Sequence, residues 1–221
     1  MPEPVAPSHR RYCALIPARD AAGVIGALVR RVTSLGVDAV VVDDGSRDAT
    51  AAAAAGQGAL VISHLRREGR GAAWRTGFEY ALRTRYDGVI TLDPSEGYDA
   101  GEIPRFIEAG ERQHAGLVLG DRRGGTGRRE GLAASIISAV ARQPVPDPLC
   151  GLRLIRRELL GTLPQRFRRS VHATDLVCAA ALRRWKIVSV PVGPGTPRGP
   201  FGGLGETAAV LTGVVRCLVA G

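Results

Sequence analysis

Short apolar segments alternate with amphipathic segments along the first half of the chain. The apolar segments are rich in Val, Ile and Leu and lack polar alternation, as expected of strands buried on both faces of a sheet. They cover residues 12–16, 38–42, 60–63, 88–92 and 116–120. Between the first two, Ile25, Leu28, Val29 and Val32 have the i, i+3, i+4, i+7 spacing of a helix face. The pattern predicts an α/β fold with a mainly parallel sheet and helices on both faces.

The second half of the chain is less regular. After a Gly- and Arg-rich loop, the predicted elements are a helix at 131–142, a strand at 152–155, a helix at 171–184, a strand at 186–192 and an amphipathic helix at 204–220. Residues 193–205 are rich in Gly and Pro and predict an irregular loop. We expect a disordered lead-in over residues 1–11 and a single domain over 12–221, with a change of character near residue 120.

Charge is divided unevenly between the two halves. Residues 1–120 carry 14 Arg and 15 Asp or Glu, whereas residues 121–221 carry 15 Arg, one Lys and 6 Asp or Glu. The formal net charge of +9 therefore comes from the second half. A basic surface favours an anionic partner, such as a phosphate-bearing acceptor, a membrane surface or nucleic acid. The alternative is that an Arg-rich protein simply carries Arg on its solvated faces, and the single Lys186 supports it.

Cysteine spacing and the terminal segments indicate a cytoplasmic protein. The cysteines are Cys13, Cys150, Cys178 and Cys217. They have no CxxC spacing and no histidines in a metal-ligand pattern, so we expect reduced core residues. The start of the chain lacks the apolar core of a signal peptide. The apolar run 208–220 is shorter than the roughly 20 residues of a spanning helix, so we expect at most a peripheral membrane contact.

Acidic residues follow three of the predicted strands. Asp43 and Asp44 come after the second strand, Asp93 after the fourth and Asp121 after the fifth. Parallel strands end at one edge of a sheet, so these carboxylates are predicted to lie together. Such a cluster costs free energy unless a cation or hydrogen-bond donors compensate it, as a nucleotide base and a metal-bound diphosphate would. Helix capping, the alternative, accounts for Ser46 but not for two consecutive Asp residues.

Five segments, in order, resemble motifs of glycosyltransferase family 2, in particular its polyprenyl-phosphate sugar synthase branch, typified by dolichyl-phosphate mannose synthase. They are Leu15–Asp20 (family IPAxNE), Val42–Asp48 (VDDGSxD), Arg67–Gly77 (NxGKGxAxxxG), Asp147–Arg153 (DxxCGFR) and Ile187–Val192 (IxEVPV). Each motif alone is weak, but five in the right order are specific. The resemblance implies the GT-A nucleotide-diphospho-sugar transferase fold, with residues 12–120 as the donor half and 121–221 as the acceptor half.

The resemblance implies a donor site at the ends of the first strands. The implied donor-binding residues are Pro17, Ala18, Asp20, Asp43, Asp44, Arg70, Gly71 and Asp93. Asp44 or Asp43 would accept a hydrogen bond from the base, and Arg70 would lie along the pyrophosphate. The implied reaction is an inverting transfer from a UDP- or GDP-linked sugar, with a polyprenyl phosphate as one such acceptor.

Catalytic and acceptor roles are also implied by the resemblance. Asp93 would hold a divalent cation, Mg²⁺ or Mn²⁺, and Arg122 would steady the departing diphosphate. Asp175 would act as general base if the acceptor is a hydroxyl. The implied acceptor-binding residues are Arg128, Asp147 and Arg153.

One motif departs from the family pattern. The DxD metal motif reads Asp93-Pro94-Ser95, and a hydroxyl is a poorer ligand for a hard cation than a carboxylate. One explanation is that Asp93 and the diphosphate hold the ion, with help from Glu96. A second is that Arg70, Arg122 and Arg128 neutralise the diphosphate, with weak metal binding or none. The third explanation is a catalytically impaired protein that binds nucleotide sugars or serves as a partner subunit.

Other protein classes fit less well. A nucleotidyltransferase would carry a Gly-rich, basic loop after its first strand, which residues 17–23 lack. Aromatics make up only 5% of the chain and no nucleic-acid-binding motif is present, so we expect no nucleic-acid partner. No GxGxxG follows a strand, which argues against a dinucleotide oxidoreductase. The apolar last helix is suited to packing against a second copy, so a homodimer is an open alternative.

Overall fold

The structure, a computed structural model, describes residues 11–84, 86–122, 128–162 and 173–193, together with Val215. For residues 128–133, 173 and 174 the description extends to the backbone only. The predicted lead-in, apart from Arg11, and the predicted C-terminal helix, apart from Val215, lie outside these residues.

Within the described residues, seven strands form one sheet in the order β3-β2-β1-β4-β6-β5-β7. They are β1 (Tyr12–Ala18), β2 (Asp38–Asp43), β3 (Leu60–Ser63), β4 (Gly88–Thr91), β5 (Leu117–Asp121), β6 (Arg153–Arg156) and β7 (Ile187–Pro191). The pairs β1–β2, β1–β4, β2–β3 and β5–β7 are parallel. β6 lies antiparallel between β4 and β5. The predicted mainly parallel α/β sheet is confirmed, and strands of both halves share it.

Helices cover both faces of the sheet. In the described part of the chain they are α1 (Ala22–Thr33), α2 (Thr50–Ala55), α3 (Arg70–Arg83), α4 (Ile103–Gln113), α5 (Arg128–Ala141), α6 (Arg157–Gly161) and α7 (Ala173–Leu182). Leu15 of β1 packs in a core with α3, α5, α6 and α7. The next residue, Ile16, packs in a second core with α1, α2 and α4, because successive strand side chains point to opposite faces. The sequence pattern missed α6 and two 3₁₀ turns, Pro94–Glu96 and Ala100–Glu102.

A glycine sets the distance between α3 and the sheet. A Cβ at Gly77 would lie 2.0 Å from Cδ1 of Leu15, a fully buried β1 side chain. The missing side chain therefore allows α3 to lie close against β1. This packing brings Arg70, the first residue of α3, near the carboxyl end of β4.

The described cysteines lie in the core, where the sequence pattern places them. Cys13, Cys150 and Cys178 are buried and free, whereas Cys217 lies outside the described residues. Among the residues that the structure describes, no helix is long and apolar enough to cross a membrane.

Candidate functional site

Hydrogen bonds between side chains and backbone join the loops that follow β1 and β2. The Asp20 N–H donates to Ser46 Oγ (2.9 Å), and the Arg47 N–H donates to Asp20 Oδ1 (2.8 Å). Asp48 accepts from the first amide of α1, on Ala22 (3.0 Å). Asp20 has a φ of +47°, a conformation that costs a non-glycine residue free energy and that these bonds help to hold. Asp20, predicted to line the base pocket, thus joins two loops, and its donor-binding role stays a prediction.

Asp43 and Asp44 have different surroundings although they are adjacent. Asp43 accepts from the N–H (3.1 Å) and the hydroxyl of Ser46, which closes the turn after β2. Ser46 was expected to cap the following helix, but α2 begins at Thr50 and has no side-chain cap. The turn passes through Gly45 at a φ of +68°, where a Cβ would lie 2.7 Å from the backbone of Arg66. Asp43 thus stabilises the turn, and of these two aspartates Asp44 is the one that lines the cleft described below.

Asp44 accepts three hydrogen bonds from the segment between β3 and α3. Its Oδ1 accepts from Nδ1 of His64 (2.9 Å) and from the Glu68 N–H (2.8 Å), and its Oδ2 accepts from the Gly69 N–H (2.8 Å). The other ring nitrogen of His64 lies 2.9 Å from the hydroxyl of Thr76 on α3. Burial raises the pKa of the Asp44 carboxyl, but the hydrogen bonds from Glu68, His64 and Gly69 outweigh burial and hold that pKa below its ordinary value.

Asp93, at the end of β4, is also held by several donors. Its Oδ1 accepts from the N–H (2.9 Å) and the hydroxyl (2.6 Å) of Ser95. Its Oδ2 accepts from Nη1 of Arg70 at 3.1 Å, and the two side chains form an ion pair. The Asp93 side chain is 8% exposed, whereas that of Arg70 is 57% exposed. Arg70 therefore reaches from the surface onto a buried carboxylate.

A cleft of about 230 Å³ opens where these groups meet. Its lining residues are Pro17, Ala18, Arg19, Asp44, Arg67, Arg70, Ala73, Asp93 and Ser95. The structure thus brings together five of the predicted donor-binding residues, and Asp20, Asp43 and Gly71 are not in the lining. Arg19 and Arg67 lie in the matched motif segments, where their charge was the signal that could have identified them.

The cleft carries three guanidinium groups and two carboxylates, so its charge favours an anion. The Arg19 side chain is 31% exposed, and its Nε lies 3.3 Å from the Asp20 carboxylate. One terminal nitrogen of Arg19, Nη1, is buried and has no hydrogen-bond partner within the described ranges. A buried donor of this kind is costly unless a ligand or water satisfies it. Phosphate oxygens are suitable acceptors because they bind guanidinium groups strongly.

The residues around Asp93 do not fit a divalent metal site built by the protein. The second DxD carboxylate is replaced by Ser95, and the first is paired with Arg70. Glu96 is not in the cleft lining, and its carboxylate packs so closely on Gly151 that a Cβ there would lie 1.8 Å from Oε2. In the described segments, no three His, Cys, Asp or Glu side chains cluster as metal ligands. Mg²⁺ and Mn²⁺ prefer several oxygen ligands, whereas the described residues of this motif that line the cleft supply one carboxylate, on Asp93, and one hydroxyl, on Ser95.

A second charged group lies between the end of β5 and the loop before β6. Nε and Nη2 of Arg122 donate to the two oxygens of Asp147 at 2.6 and 2.8 Å. The Asp147 side chain is only 1% exposed. Hydrogen bonding to Asp147 raises the pKa of Arg122, against the opposing effect of burial. The pair fixes Arg122 in orientation, and the predicted roles of both residues in binding diphosphate and acceptor stay predictions.

The remaining predicted residues lie away from open surface or outside the described side chains. Arg153 is buried, and its guanidinium donates to the carbonyls of Cys150 (2.5 Å) and Pro148 (3.2 Å), so it supports the loop that carries Asp147. Asp175 is buried in the first turn of α7. Arg128 is the first residue of α5, and its side chain lies outside the described part. Acceptor binding by Arg153 and Arg128, and proton removal by Asp175, are untested predictions.

Solved structures with the same fold bind nucleotide sugars. The chain superposes on glucosyl-3-phosphoglycerate synthase from Mycobacterium tuberculosis, in complex with Mn²⁺, uridine-diphosphate-glucose and phosphoglyceric acid, with a TM-score of 0.69. The match covers 96% of this chain and 79% of the other at 24% sequence identity. The same enzyme in complex with UDP gives a TM-score of 0.71. The GT-A fold implied by the sequence is thereby confirmed.

Sequence relatives identify the family. An uncharacterised glycosyltransferase of Mycobacterium tuberculosis is 32% identical over 192 residues, which cover 83% of this chain and 84% of the relative. Polyprenol monophosphomannose synthase of Mycolicibacterium smegmatis is 29% identical over 177 residues, covering 72% and 66% of the two chains. The family model described as glycosyl transferase family 2 matches residues 13–187. The chain therefore belongs to glycosyl transferase family 2 and is a glycosyltransferase.

Proposed function

We propose that this glycosyltransferase moves a sugar from a UDP-linked donor to an acceptor that carries a phosphate group. The observation that carries the proposal is the cleft in which Asp44 faces three arginines, Arg19, Arg67 and Arg70. Such a cleft offers a hydrogen-bond acceptor for a base and positive charge for a diphosphate. The solved relatives with the same fold, which bind uridine-diphosphate-glucose, support the assignment.

The hydrogen bonds on Asp44 favour uracil over guanine. A carboxylate has about four acceptor positions, two on each oxygen. Two on Oδ1 are taken by His64 and Glu68, and one on Oδ2 by Gly69. Among the hydrogen bonds that the described residues make, one position on Oδ2 remains, which suits the single N3–H of uracil. Guanine presents two adjacent donors, N1–H and N2–H, which need both oxygens, and cytosine has no N3–H to donate.

A phosphate-bearing acceptor is supported by two observations. The excess positive charge of the chain lies in residues 121–221, and a basic surface favours an anionic partner. The relatives and solved neighbours include a polyprenol monophosphomannose synthase and a glucosyl-3-phosphoglycerate synthase. A polyprenyl phosphate and a small phosphorylated acid share the phosphate, so the proposal names that shared group.

The transfer is a single displacement that inverts the sugar. An acceptor oxygen attacks the anomeric carbon, the bond from that carbon to the diphosphate oxygen breaks, and UDP leaves with the electron pair. The cleft arginines stabilise the charge that develops on the leaving group. An ionised phosphate acceptor has no proton to lose, whereas a hydroxyl acceptor passes its proton to a base, for which Asp175 is the predicted residue. No step is assigned to a divalent cation, because Asp93 is already paired with Arg70.

Calorimetric titration with UDP, GDP and CDP tests the donor assignment. We expect UDP to bind at least about tenfold more tightly than GDP or CDP. Tighter binding of GDP would contradict the uracil assignment, and no binding of any nucleotide would contradict the proposed function.

Transfer from radiolabelled UDP-glucose and UDP-galactose to undecaprenyl phosphate, or to 3-phosphoglycerate, tests the acceptor. Product in either arm identifies the source of the phosphate. If the protein binds nucleotide but forms no product with either acceptor, the result would favour the alternative of an impaired nucleotide-sugar-binding protein. In that case Ser95→Asp, which restores the second carboxylate of the motif, would gain turnover that the wild type lacks.

A further inference from the structure

The ion pair between Arg70 and Asp93 occupies the position where the family motif predicts a divalent cation. Asp93 Oδ2 accepts from Arg70 Nη1 at 3.1 Å, and Asp93 Oδ1 is taken by the amide and hydroxyl of Ser95. Each oxygen of this buried carboxylate therefore has a donor supplied by the chain. A metal ion would have to displace a guanidinium that remains charged at any physiological pH.

The charge at this position is balanced without a metal. Two carboxylates, as in an intact DxD motif, need a doubly charged ion to neutralise them before an anionic diphosphate can approach. Here Ser95 contributes no charge, and the single charge of Asp93 is matched by the single charge of Arg70. With Ser95 uncharged, the pair of Asp93 and Arg70 therefore has no net charge.

Two further guanidinium groups are available to the diphosphate. Arg67 is exposed and lines the cleft three residues before Arg70. Arg19 lines it from the loop after β1, and its buried Nη1 has no hydrogen-bond partner among the residues described. Guanidinium groups bind phosphate oxygens through paired, charge-assisted hydrogen bonds, which gives them a geometry that suits a diphosphate.

We propose that Arg70, held on Asp93, takes the place of the divalent cation, and that Arg19, Arg67 and Arg70 bind the donor diphosphate without metal. The inference rests on the proposed function, since it concerns the same donor site. It distinguishes this chain from the solved relatives that were crystallised with Mn²⁺ or Mg²⁺ and UDP.

Calorimetric titration of the full chain with UDP, in EDTA and in Mn²⁺, tests the inference. The wild type should bind UDP with affinities that agree within about threefold in the two conditions. Arg70→Gln should weaken binding in EDTA by about 10- to 100-fold, the worth of a charge-assisted bond to phosphate. Arg66→Gln is the matched control, because it removes the same charge from an exposed residue of the same segment that does not line the cleft, and it should bind like the wild type.

Ser95→Asp provides a second test with a readout independent of nucleotide binding. It adds the missing carboxylate, so UDP binding should weaken in EDTA and recover in Mn²⁺. Electron paramagnetic resonance of Mn²⁺ mixed with the protein alone should detect bound ion in Ser95→Asp at concentrations where the wild type binds none. Circular dichroism should show that each variant is folded.

Three results would overturn the inference. They are a rise of about tenfold or more in wild-type UDP affinity when Mn²⁺ replaces EDTA, unchanged affinity of Arg70→Gln in EDTA, and Mn²⁺ bound by the wild-type protein alone. A wild type that binds no nucleotide in either condition would instead contradict the proposed donor site itself.

Discussion

The substitution Asp44→Asn changes a single atom at the centre of the cleft. Its amide keeps one acceptor oxygen and replaces the other with an NH₂ donor. If the NH₂ takes the place of Oδ1, it opposes His64 and Glu68, and if it takes the place of Oδ2, it opposes only Gly69. The second orientation is the less costly one. It leaves one buried N–H without an acceptor and weakens two bonds that were made to a charged oxygen.

We expect Asp44→Asn to lower the free energy of unfolding by about 2 to 4 kcal/mol, from one unsatisfied donor and two weakened hydrogen bonds. The same orientation places the NH₂ where the one remaining acceptor position was, so the uracil N3–H meets a donor. UDP affinity should fall by about 10- to 100-fold, the equivalent of one hydrogen bond to a charged group. Urea unfolding and calorimetric titration measure the two effects separately.

Asp99→Asn is the control for this experiment. Asp99 is exposed and caps a 3₁₀ turn through the Gly101 N–H, a role that Asn fills equally well. It should change stability by less than about 0.5 kcal/mol, as surface substitutions do. If Asp44→Asn were as stable as this control and bound UDP like the wild type, the assignment of Asp44 as both loop anchor and base acceptor would be wrong.

The pH dependence follows from the same hydrogen bonds. The pKa of Asp44 is lower in the folded protein than in the unfolded chain, so its ionised form stabilises the fold. That contribution is fully present above the unfolded pKa, about 3.9, and is lost as the pH falls through the folded pKa. The stability difference between wild type and Asp44→Asn should therefore be present at neutral pH and shrink below about pH 4. A constant difference down to acid pH would refute this explanation.

Three further predictions concern packing and charge. Gly77→Ala should destabilise the fold by about 1 to 3 kcal/mol in urea unfolding, since its Cβ would lie 2.0 Å from the buried side chain of Leu15. Asp147→Ala should lower the free energy of unfolding by about 3 to 5 kcal/mol, because it leaves Arg122 unpaired. The double variant Arg122→Met/Asp147→Leu should recover much of that loss. Equal instability of the two variants would contradict a role for the pair. Burial raises the pKa of Cys13 to about 12, so iodoacetamide at pH 8 should label this thiol only after urea is added, as peptide mass spectrometry would detect.

The fold class and more than half of the cleft lining follow from the amino-acid sequence alone. Buried strands without polar alternation require cover on both faces, which predicts a mainly parallel α/β sheet before any contact is known. Parallel strands also end at one edge, so residues just after the strands must meet there. Pro17, Ala18, Asp44, Arg70 and Asp93 were predicted on these grounds together with the motif resemblance, and all five line the cleft.

The hydrogen-bond partner of each polar side chain depends on long-range contacts and could not be read from the sequence. The sequence did not distinguish Asp43 from Asp44 as the carboxylate predicted to face the base. In the structure, two backbone amides of the segment 64–69 donate to the carboxylate of Asp44. Likewise, Asp93 was predicted to bind a metal ion. The packing of α3 on β1 instead places the guanidinium of Arg70, 23 residues away in sequence, within hydrogen-bond distance of the Asp93 carboxylate.

The antiparallel strand β6 was also beyond the sequence pattern, since an apolar run has the same appearance in either direction. Periodicity along the chain reports which faces are buried, whereas the choice among several hydrogen-bond partners depends on long-range geometry. For that reason the sequence predicted which residues line the cleft, and the fold determined how their charges are balanced.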